Sequence, residues 1–524
     1  MIIPLPLLAA SVLVQPVPLQ QDPTGGGDEQ GAPGLRPNVV IVLADDLGLG
    51  DISPTSAGCK IKTPNLAAMA AAGMTFTDAH STSAVCTPTR YGLLTGRYNW
   101  RSRLEKGVLN GNSGHLIPKD RATIGHLMQE QGYATAAIGK WHLGLDWSRE
   151  GGQPGGAIDF AGPVTNGPDI NGFGHYHVLP ASLDMAPYVW VESGRVTGQP
   201  NRREGVTREE DRYGWYREGQ VGEDFFIEQA LPHLVDEACE FIGEHAEAAR
   251  GGDPFLLYLP LPSPHTPIVP VPPFKGSSGM NPYADFVMQV DHHVGQIMEA
   301  LEEGGVAKNT LLIFTSDNGC SPEANFPLLA EHGHDPNAGL RGHKADIYEG
   351  GHRVPLVVRW PGVVPAGETS AALACLTDIY ATLEDLTGER GRSAGGEDGH
   401  SWLPIFGGAP TNGRRALISH SVSGHFAIRE GDWKLCLSGG SGGWSAPREN
   451  VAKKQGLPPL QLFNLADDPA EQKNLAAQEP ERVARLLRSL DRIVGAGRST
   501  EGPALANDRE VSFLPQGVVL PTGD

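Results

Sequence analysis

The sequence predicts an α/β fold: a large, mostly parallel sheet flanked by helices, followed by a smaller α+β C-terminal domain built on an antiparallel sheet. Three observations predict it. From residue 38, short runs of β-branched and other apolar residues alternate with amphipathic helical stretches. The apolar runs are nearly continuous, as strands buried on both faces require. After about residue 400 the style changes to short alternating strands joined by polar turns.

The elements follow in order. NVVIVLA (38–44) is the first buried strand. TPNLAAMAAAG is a helix with Thr63 as N-cap, Pro64 at its first position and Gly73 as a stop. The helix TIGHLMQEQG leads into the strand YATAAIG, DFFIEQALPHLVDEACEFIGEHAEA leads into PFLLYLPLP, and DFVMQVDHHVGQIMEALEEGG leads into TLLIFTS. Residues 150–222, rich in Gly, Pro, Asn and Arg, show little periodicity and read as long loops over one end of the sheet, where substrate contacts would lie. ALISHSV, FAIREGDWKLCL and QLFNL read as antiparallel strands, followed by the helix EPERVARLLRSLDRIVG. The expected organisation is a catalytic domain over 37–400, a C-terminal unit over 401–500 and a tail over 501–524.

Composition sets limits on partners. A chain of 524 residues with 40% apolar side chains can bury a large core. Its 41 Lys+Arg against 61 Asp+Glu give a formal charge of −20, which repels nucleic acid and anionic membranes unless basic groups gather locally. No nucleic-acid partner and no stable membrane insertion are expected. A pocket for an anion needs only a few placed cations and stays open. The first 20 residues, MIIPLPLLAASVLVQPVPLQ, fit the apolar region of a secretory signal better than a membrane span, given Pro4, Pro6, Pro16 and Pro18. This implies a periplasmic or secreted protein. The usual basic n-region is missing, so a misassigned start or a non-secreted tail stays open as an alternative. Residues 21–36 read as a linker. Six cysteines without a C-x-x-C pair suggest neither a disulfide scaffold nor zinc.

In open α/β sheets, ligands collect beyond the carboxyl ends of the strands. Four predicted strands end in polar groups: Asp45 and Asp46; Lys140 and His142; His265; Asp317 and Asn318. Each alone has a bland reading, as a turn or a structural histidine; together they describe a site. Asp45, Asp46, Asp317 and Asn318 are all oxygen donors, the hard set suited to Ca²⁺ or Mg²⁺. Without a cation the carboxylates would raise one another's pKa. Cys86 opens a helix with Arg90 one turn on, a positive setting expected to lower a thiol's pKa and favour an anion. The neighbouring hard cation and basic groups suit an oxygen nucleophile at a sulfuryl or phosphoryl centre better than a thiolate at a carbonyl.

CTPTRYGLLTGR (86–97) resembles the sulfatase signature C-x-P-x-R-x-x-L-x-T-G-R, and the likeness runs from NVVIVLADDLG to the C-terminal WKL and LFNL segments. The chain is thus similar to formylglycine-dependent type I sulfatases of the alkaline-phosphatase-like superfamily. The resemblance implies that a maturase oxidises Cys86 to formylglycine (3-oxoalanine), whose hydrate supplies the attacking oxygen. It implies a metal held by Asp45, Asp46, Asp317, Asn318 and residue 86, with Arg90 holding the modified side chain. GKWHLG then gives Lys140 and His142 as contacts to hydrate and sulfate, SPHTP gives His265 as the acid for the leaving oxygen, and RGHKADIYEGG gives Lys344 as a sulfate clamp. Ser182, in ASLDMAPYV, falls where a sulfate contact is often found. The same segment resembles sulfatases of carbohydrate esters, so a sulfated glycan or sulfated small molecule is the expected substrate. His175, His177, Trp190 and Arg195 are candidate sugar contacts or packing groups. Two alternatives are a phosphonate or phosphate ester hydrolase of the same superfamily and a non-catalytic glycan-binding protein with unmodified Cys86.

Overall fold

Alternate residues of the first strand, Asn38–Ala44, enter two different cores: Val39, Ile41 and Leu43 face one side, Val40, Val42 and Ala44 the other. Such a strand must be covered by helices on both faces. The computed structural model of the chain describes residues 36–153, 155–389, 391 and 395–521. The expected signal segment and nearly all of the linker lie outside the described residues. Five parallel strands form the centre of the sheet in the order Thr310–Ser316, Asn38–Ala44, Phe255–Pro260, Ala134–Lys140 and His175–Leu179. Antiparallel pairings attach Leu356–Arg359 on one side and Val191–Glu192 on the other, giving a ten-stranded mixed sheet. The sheet is thus mostly parallel, as expected: its antiparallel pairings lie outside the five central strands, and at one edge Glu368–Ser370 again pairs parallel with Met74–Phe76.

Helices Ala230–Gly251 and Pro282–Glu303 cover one face through Leu234, Phe241, Val290 and Ile297, among others. The other face is covered by Cys86–Thr95, Ile124–Glu130 and Asp378–Thr387. Helix Ile124–Glu130 starts at Thr123, whose hydroxyl accepts from the His126 N–H. Helix Pro64–Ala71 has Thr63 at its cap, but that hydroxyl instead accepts from the Ser53 N–H. The long helix begins at Ala230 and not at Asp224, so that Pro232 falls in its first turn, where no N–H is needed.

The stretch 150–222 is more ordered than its composition suggests. It supplies the fifth parallel strand, its antiparallel neighbours, and a hairpin of Pro200–Val206 with Tyr216–Gly222. A separate four-stranded antiparallel sheet follows, Leu417–His420, Phe426–Glu430, Trp433–Cys436 and Gln461–Asn464, packed on helix Pro480–Ala496. Its core includes Tyr98, Trp100 and Cys375 from the earlier part of the chain, so the two sheets share buried apolar surface. All six cysteines are free thiols. No helix among the described residues is long and apolar enough to cross a membrane.

Candidate active site

The parallel strands deliver their polar ends to one edge. Asp45 and Asp46 follow Asn38–Ala44, and Asp317 and Asn318 follow the neighbouring Thr310–Ser316. Cys86 is the first residue of its helix and is buried. One ligand atom each from Asp45, Cys86 and Asp317 lies within 4.8 Å of the others. Asp46 joins them: its N–H donates to Asp317 Oδ1 at 3.2 Å and its Oδ1 accepts from Asn318 Nδ2 at 2.7 Å.

Cations surround these oxygens. Arg90 donates to Asp317 Oδ2 at 2.7 Å through Nη2 and to the Lys140 carbonyl at 2.8 Å through Nη1. Lys140 Nζ bridges Asp45 Oδ2 at 2.5 Å and Ser182 Oγ at 3.1 Å. Lys344 Nζ donates to Asp46 Oδ2 at 2.7 Å. A His265 ring nitrogen is 3.3 Å from Ser182 Oγ, and Nε2 is 3.6 Å from Asp46 Oδ2. His142 Nε2 is 2.7 Å from the Leu109 carbonyl, which assigns the ring proton to Nε2, and its buried Nδ1 has no partner. Asp45, Asp46, Cys86, Arg90, Lys140, Ser182, His265, Asp317, Asn318 and Lys344 are thus linked by contacts of 4.8 Å or less, while the His142 ring is anchored to the Leu109 carbonyl beside them.

Backbone conformation holds it. Asp46, His142 and Ala345, beside Lys344, have φ of 69°, 55° and 81°, a region costly for residues with a side chain. Gly139 precedes Lys140 with φ 133°, and a Cβ there would come 2.1 Å from the Pro260 carbonyl oxygen. A Cβ at Gly319 would come 1.9 Å from the Gly350 oxygen, so only glycine lets the segments bearing Asn318 and Lys344 approach.

The electrostatics follow from burial. Desolvation would raise the Asp45 carboxyl, but Lys140, with His265, Arg90 and Lys344, holds it well below the usual range. Asp317 goes the other way, pushed up to about 7 by burial and then by the charge of Asp45, against Arg90. Burial, then Lys140 and Arg90, pushes His142 well down, so its imidazole is neutral. Burial pushes the Cys86 thiol up to about 11, outweighing Lys140 and Lys344. The expected lowering by the helix terminus is thus overturned: a fully desolvated sulfur pays more than nearby cations return.

Asp45 Oδ1 and Asn318 Oδ1 are buried without hydrogen-bond partners. Orphaned oxygens among buried carboxylates are what a hard divalent cation would satisfy, and the donor set fits one. A cavity of about 680 Å³ opens over Cys86, Asp46, His265 and Lys344. Its walls carry residues that the sequence reading missed: Asp184, Trp215 and Arg217 from the 150–222 stretch, and Trp444 and Arg448 from a Gly/Ser-rich loop. A lone tryptophan in SGGSGGWS was the available signal. His175, His177, Trp190 and Arg195 do not line this cavity. His177 packs tilted against Trp190 and edge-on to His233 with ring centres 5.1 and 4.9 Å apart, and His175 stacks on Phe241 at 6.0 Å. Those side chains pack the fifth strand against its covering helix, and Arg195 lies exposed on a marginal strand.

Hard oxygen donors and basic groups at the carboxyl ends of parallel strands mark the ligand site of an α/β sheet, and the fold is that of the alkaline-phosphatase-like hydrolases, shared with solved sulfatase structures. The chain belongs to the sulfatase family, whose model matches residues 37–389, and it is a sulfuric ester hydrolase. It is 33% identical over 504 residues to an N-acetylgalactosamine-6-O-sulfatase of Bacteroides thetaiotaomicron, covering 89% of this chain and 94% of that one. It is 34% identical to arylsulfatase G of Canis lupus familiaris, covering 84% of this chain and 81% of the relative. A solved structure from work on the metabolism of multiple glycosaminoglycans by Bacteroides thetaiotaomicron superposes with a TM-score of 0.76 at 32% identity, covering 88% of this chain and 99% of that one.

Proposed function

We propose that this chain removes sulfate from a sulfated carbohydrate, using formylglycine made from Cys86 by a maturase, and a calcium ion (magnesium being the alternative) held by Asp45, Asp46, Asp317, Asn318 and residue 86. The observation that carries the reading is the meeting of those oxygen donors with Cys86, Arg90, Lys140 and Lys344 at one buried point. A soft thiol sulfur is a poor partner for a hard cation, whereas an oxygen at position 86 completes the set. The carbohydrate part of the reading is supported by the named substrate of the Bacteroides relative. A periplasmic or secreted location suits such a substrate and the apolar N-terminal segment.

A formylglycine hydrate at position 86 would supply an oxygen nucleophile and a second hydroxyl for release of sulfate, and a calcium ion held by Asp45, Asp46, Asp317 and Asn318 would supply positive charge. The chain's own residues do the rest. Arg90, Lys140 and Lys344 balance Asp45, Asp46 and Asp317 charge for charge, so a divalent ion leaves the site with net positive charge for a sulfate ester. Arg90, tied to Asp317 and to the Lys140 carbonyl, orients residue 86. Lys140, Lys344 and Ser182 take the sulfate oxygens. His265 protonates the departing alkoxide. His142, neutral and with Nδ1 open, accepts the proton from residue 86.

Mass spectrometry of the peptide spanning Cys86 from the native host, with turnover by matured enzyme on sulfated oligosaccharides, aryl sulfates and aryl phosphonates, tests the reading. The expected result is an aldehyde at position 86 and a preference for sulfated sugars. Unmodified cysteine throughout would point to a binding protein, and faster phosphonate turnover to the other hydrolase.

A further inference from the structure

The cavity is much larger than a sulfate group needs, and its outer wall is basic although the chain as a whole is acidic. Arg208, Arg212 and Arg217 come from the segment before and within the second strand of the hairpin, and Arg448 from the loop after the C-terminal sheet's third strand. Two of the four are neutralised. Arg208 pairs with Glu323 at 2.6 Å, and Arg217 pairs with Asp184. Among the described residues, Arg212 and Arg448 have no carboxylate partner. The Arg212 guanidinium lies 5.7 Å from the Tyr213 ring centre, and Arg448 Nε donates to the Trp444 carbonyl at 3.1 Å. Among the described residues, the carboxylates lining the cavity are Asp46, Asp184 and Glu323, all already engaged. In a protein of charge −20, two exposed arginines held over a cavity by a ring and a carbonyl favour an anion there.

Trp444 is 40% exposed at the same mouth. It is not on a loose loop: the N–H groups of Trp444 and Ser445 donate to Asp346 Oδ1 at 2.8 and 3.0 Å, two residues from Lys344, whose Nζ lies 5.9 Å from the indole centre. An exposed indole fixed in place beside a cation-lined cavity offers an apolar face to the C–H face of a sugar ring.

We propose that this mouth is a subsite for a second anionic group, with Arg212 and Arg448 binding a carboxylate or further sulfate on the saccharide and Trp444 stacking on its ring, so that polyanionic sulfated sugars are preferred to neutral ones. This rests on the carbohydrate reading above and adds the charge of the sugar as the selected property. Such a contact, made at an exposed site, contributes to binding the correct substrate and is screened by salt.

The test compares kcat/KM of matured enzyme on three disaccharides with the same scissile sulfate: one otherwise neutral, one carrying a uronic acid, one carrying a second sulfate. The charged substrates are expected to be favoured by about tenfold or more, with the margin shrinking as salt rises. Arg212→Gln and Arg448→Gln should each cut that preference several-fold and together bring it near unity, with unchanged melting temperatures because both side chains are exposed. Trp444→Ala should raise KM for all three by about tenfold. The relative turnover of uronate and disulfated substrates identifies which anion the subsite takes. Equal rates on neutral and charged sugars, or a preference that survives the double substitution, would overturn the subsite while sparing the sugar reading. Turnover of small aryl sulfates with none of any disaccharide would overturn the sugar reading itself.

Discussion

Lys140 Nζ donates to Asp45 Oδ2 at 2.5 Å, while Asp45 Oδ1, equally buried, has no hydrogen-bond partner. One oxygen is thus held by a hydrogen bond, while the other, 3.7 Å from Arg90 Nη2, keeps its lone pairs open to a ligand. With Asn318 Oδ1 also unpartnered, the simplest occupant is a hard cation. Calcium should therefore raise the melting temperature of the metal-stripped protein by about 5 °C or more, since it binds the folded state alone. Asp317→Asn should lose most of that gain. A scan with chelator and with calcium checks both, and identical transitions would remove the ion from the site.

His265 lies 3.3 Å from Ser182 Oγ and 3.6 Å from Asp46, on the cavity side of the cluster. As the acid for the leaving oxygen, it matters most where that oxygen is strongly basic. His265→Ala should slow sugar sulfates by about 10²–10³ and an aryl sulfate with a good leaving group far less. A series of aryl sulfates should accordingly show a steeper dependence on leaving-group pKa in the variant. An unchanged slope would move the acid role to another group, Lys344 being the nearest in function.

The site was more legible than much of the scaffold around it. Asn38–Ala44, Ala134–Lys140, Phe255–Pro260 and Thr310–Ser316 announce themselves because strands buried on both faces carry nearly continuous apolar runs, and the charged and amide residues at their carboxyl ends then stand out. HYHVL, the fifth parallel strand, did not, because its imidazoles are made compatible with burial by Trp190, His233 and Phe241, which lie elsewhere in the chain. In the hairpin, Pro200–Val206 has no buried residue and Tyr216–Gly222 is interrupted by Gly219 and Gly222, so no apolar alternation marks it. Local positive charge at Cys86 was readable, yet the desolvation that reverses its effect on the thiol depends on the whole fold.

A second buried charge cluster joins the two sheets. Lys434 Nζ, on the C-terminal sheet, lies 3.0 Å from Glu349 and 2.8 Å from Glu471. Burial pushes Glu471 up to about 7 from 4.5, with the charge of Glu349 adding to it against Lys434. Between those values the folded state keeps a proton that the unfolded chain has lost, so this group lowers stability as pH rises through the window and adds no further change above it. Buried histidines such as His352, held well below their usual range, act in the opposite sense as pH rises, which masks the effect in the wild type alone. The comparison with Glu471→Gln, made at saturating calcium to keep Asp317 ionised, isolates it. From pH 5 to 7.5 the wild type should lose urea resistance relative to the variant, and parallel profiles would show that Glu471 titrates normally.

Five apolar residues of the C-terminal segment 501–524 lie partly buried against the core of the smaller sheet. Val511, Phe513, Leu514, Val518 and Leu520 pack against the cluster formed by Trp100, Phe426, Leu487 and Leu490, and the Phe513 ring lies 6.2 Å from that of Phe426. Asp508 accepts from buried Arg97 at 3.0 Å, and Asn507 from Arg101 at 3.0 Å. Removing residues 501–524 would expose this apolar surface and take hydrogen bonds from two buried guanidinium groups, a combination worth a few kcal/mol, although Arg97 keeps Glu397 and Arg101 keeps Asp398. The truncated chain should melt well below the full one and aggregate, whereas Phe513→Ala should cost about 2 kcal/mol and stay soluble, because the side chain is only partly buried. Equal urea midpoints for the full and truncated chains would mean that this segment only rests on a core that closes without it.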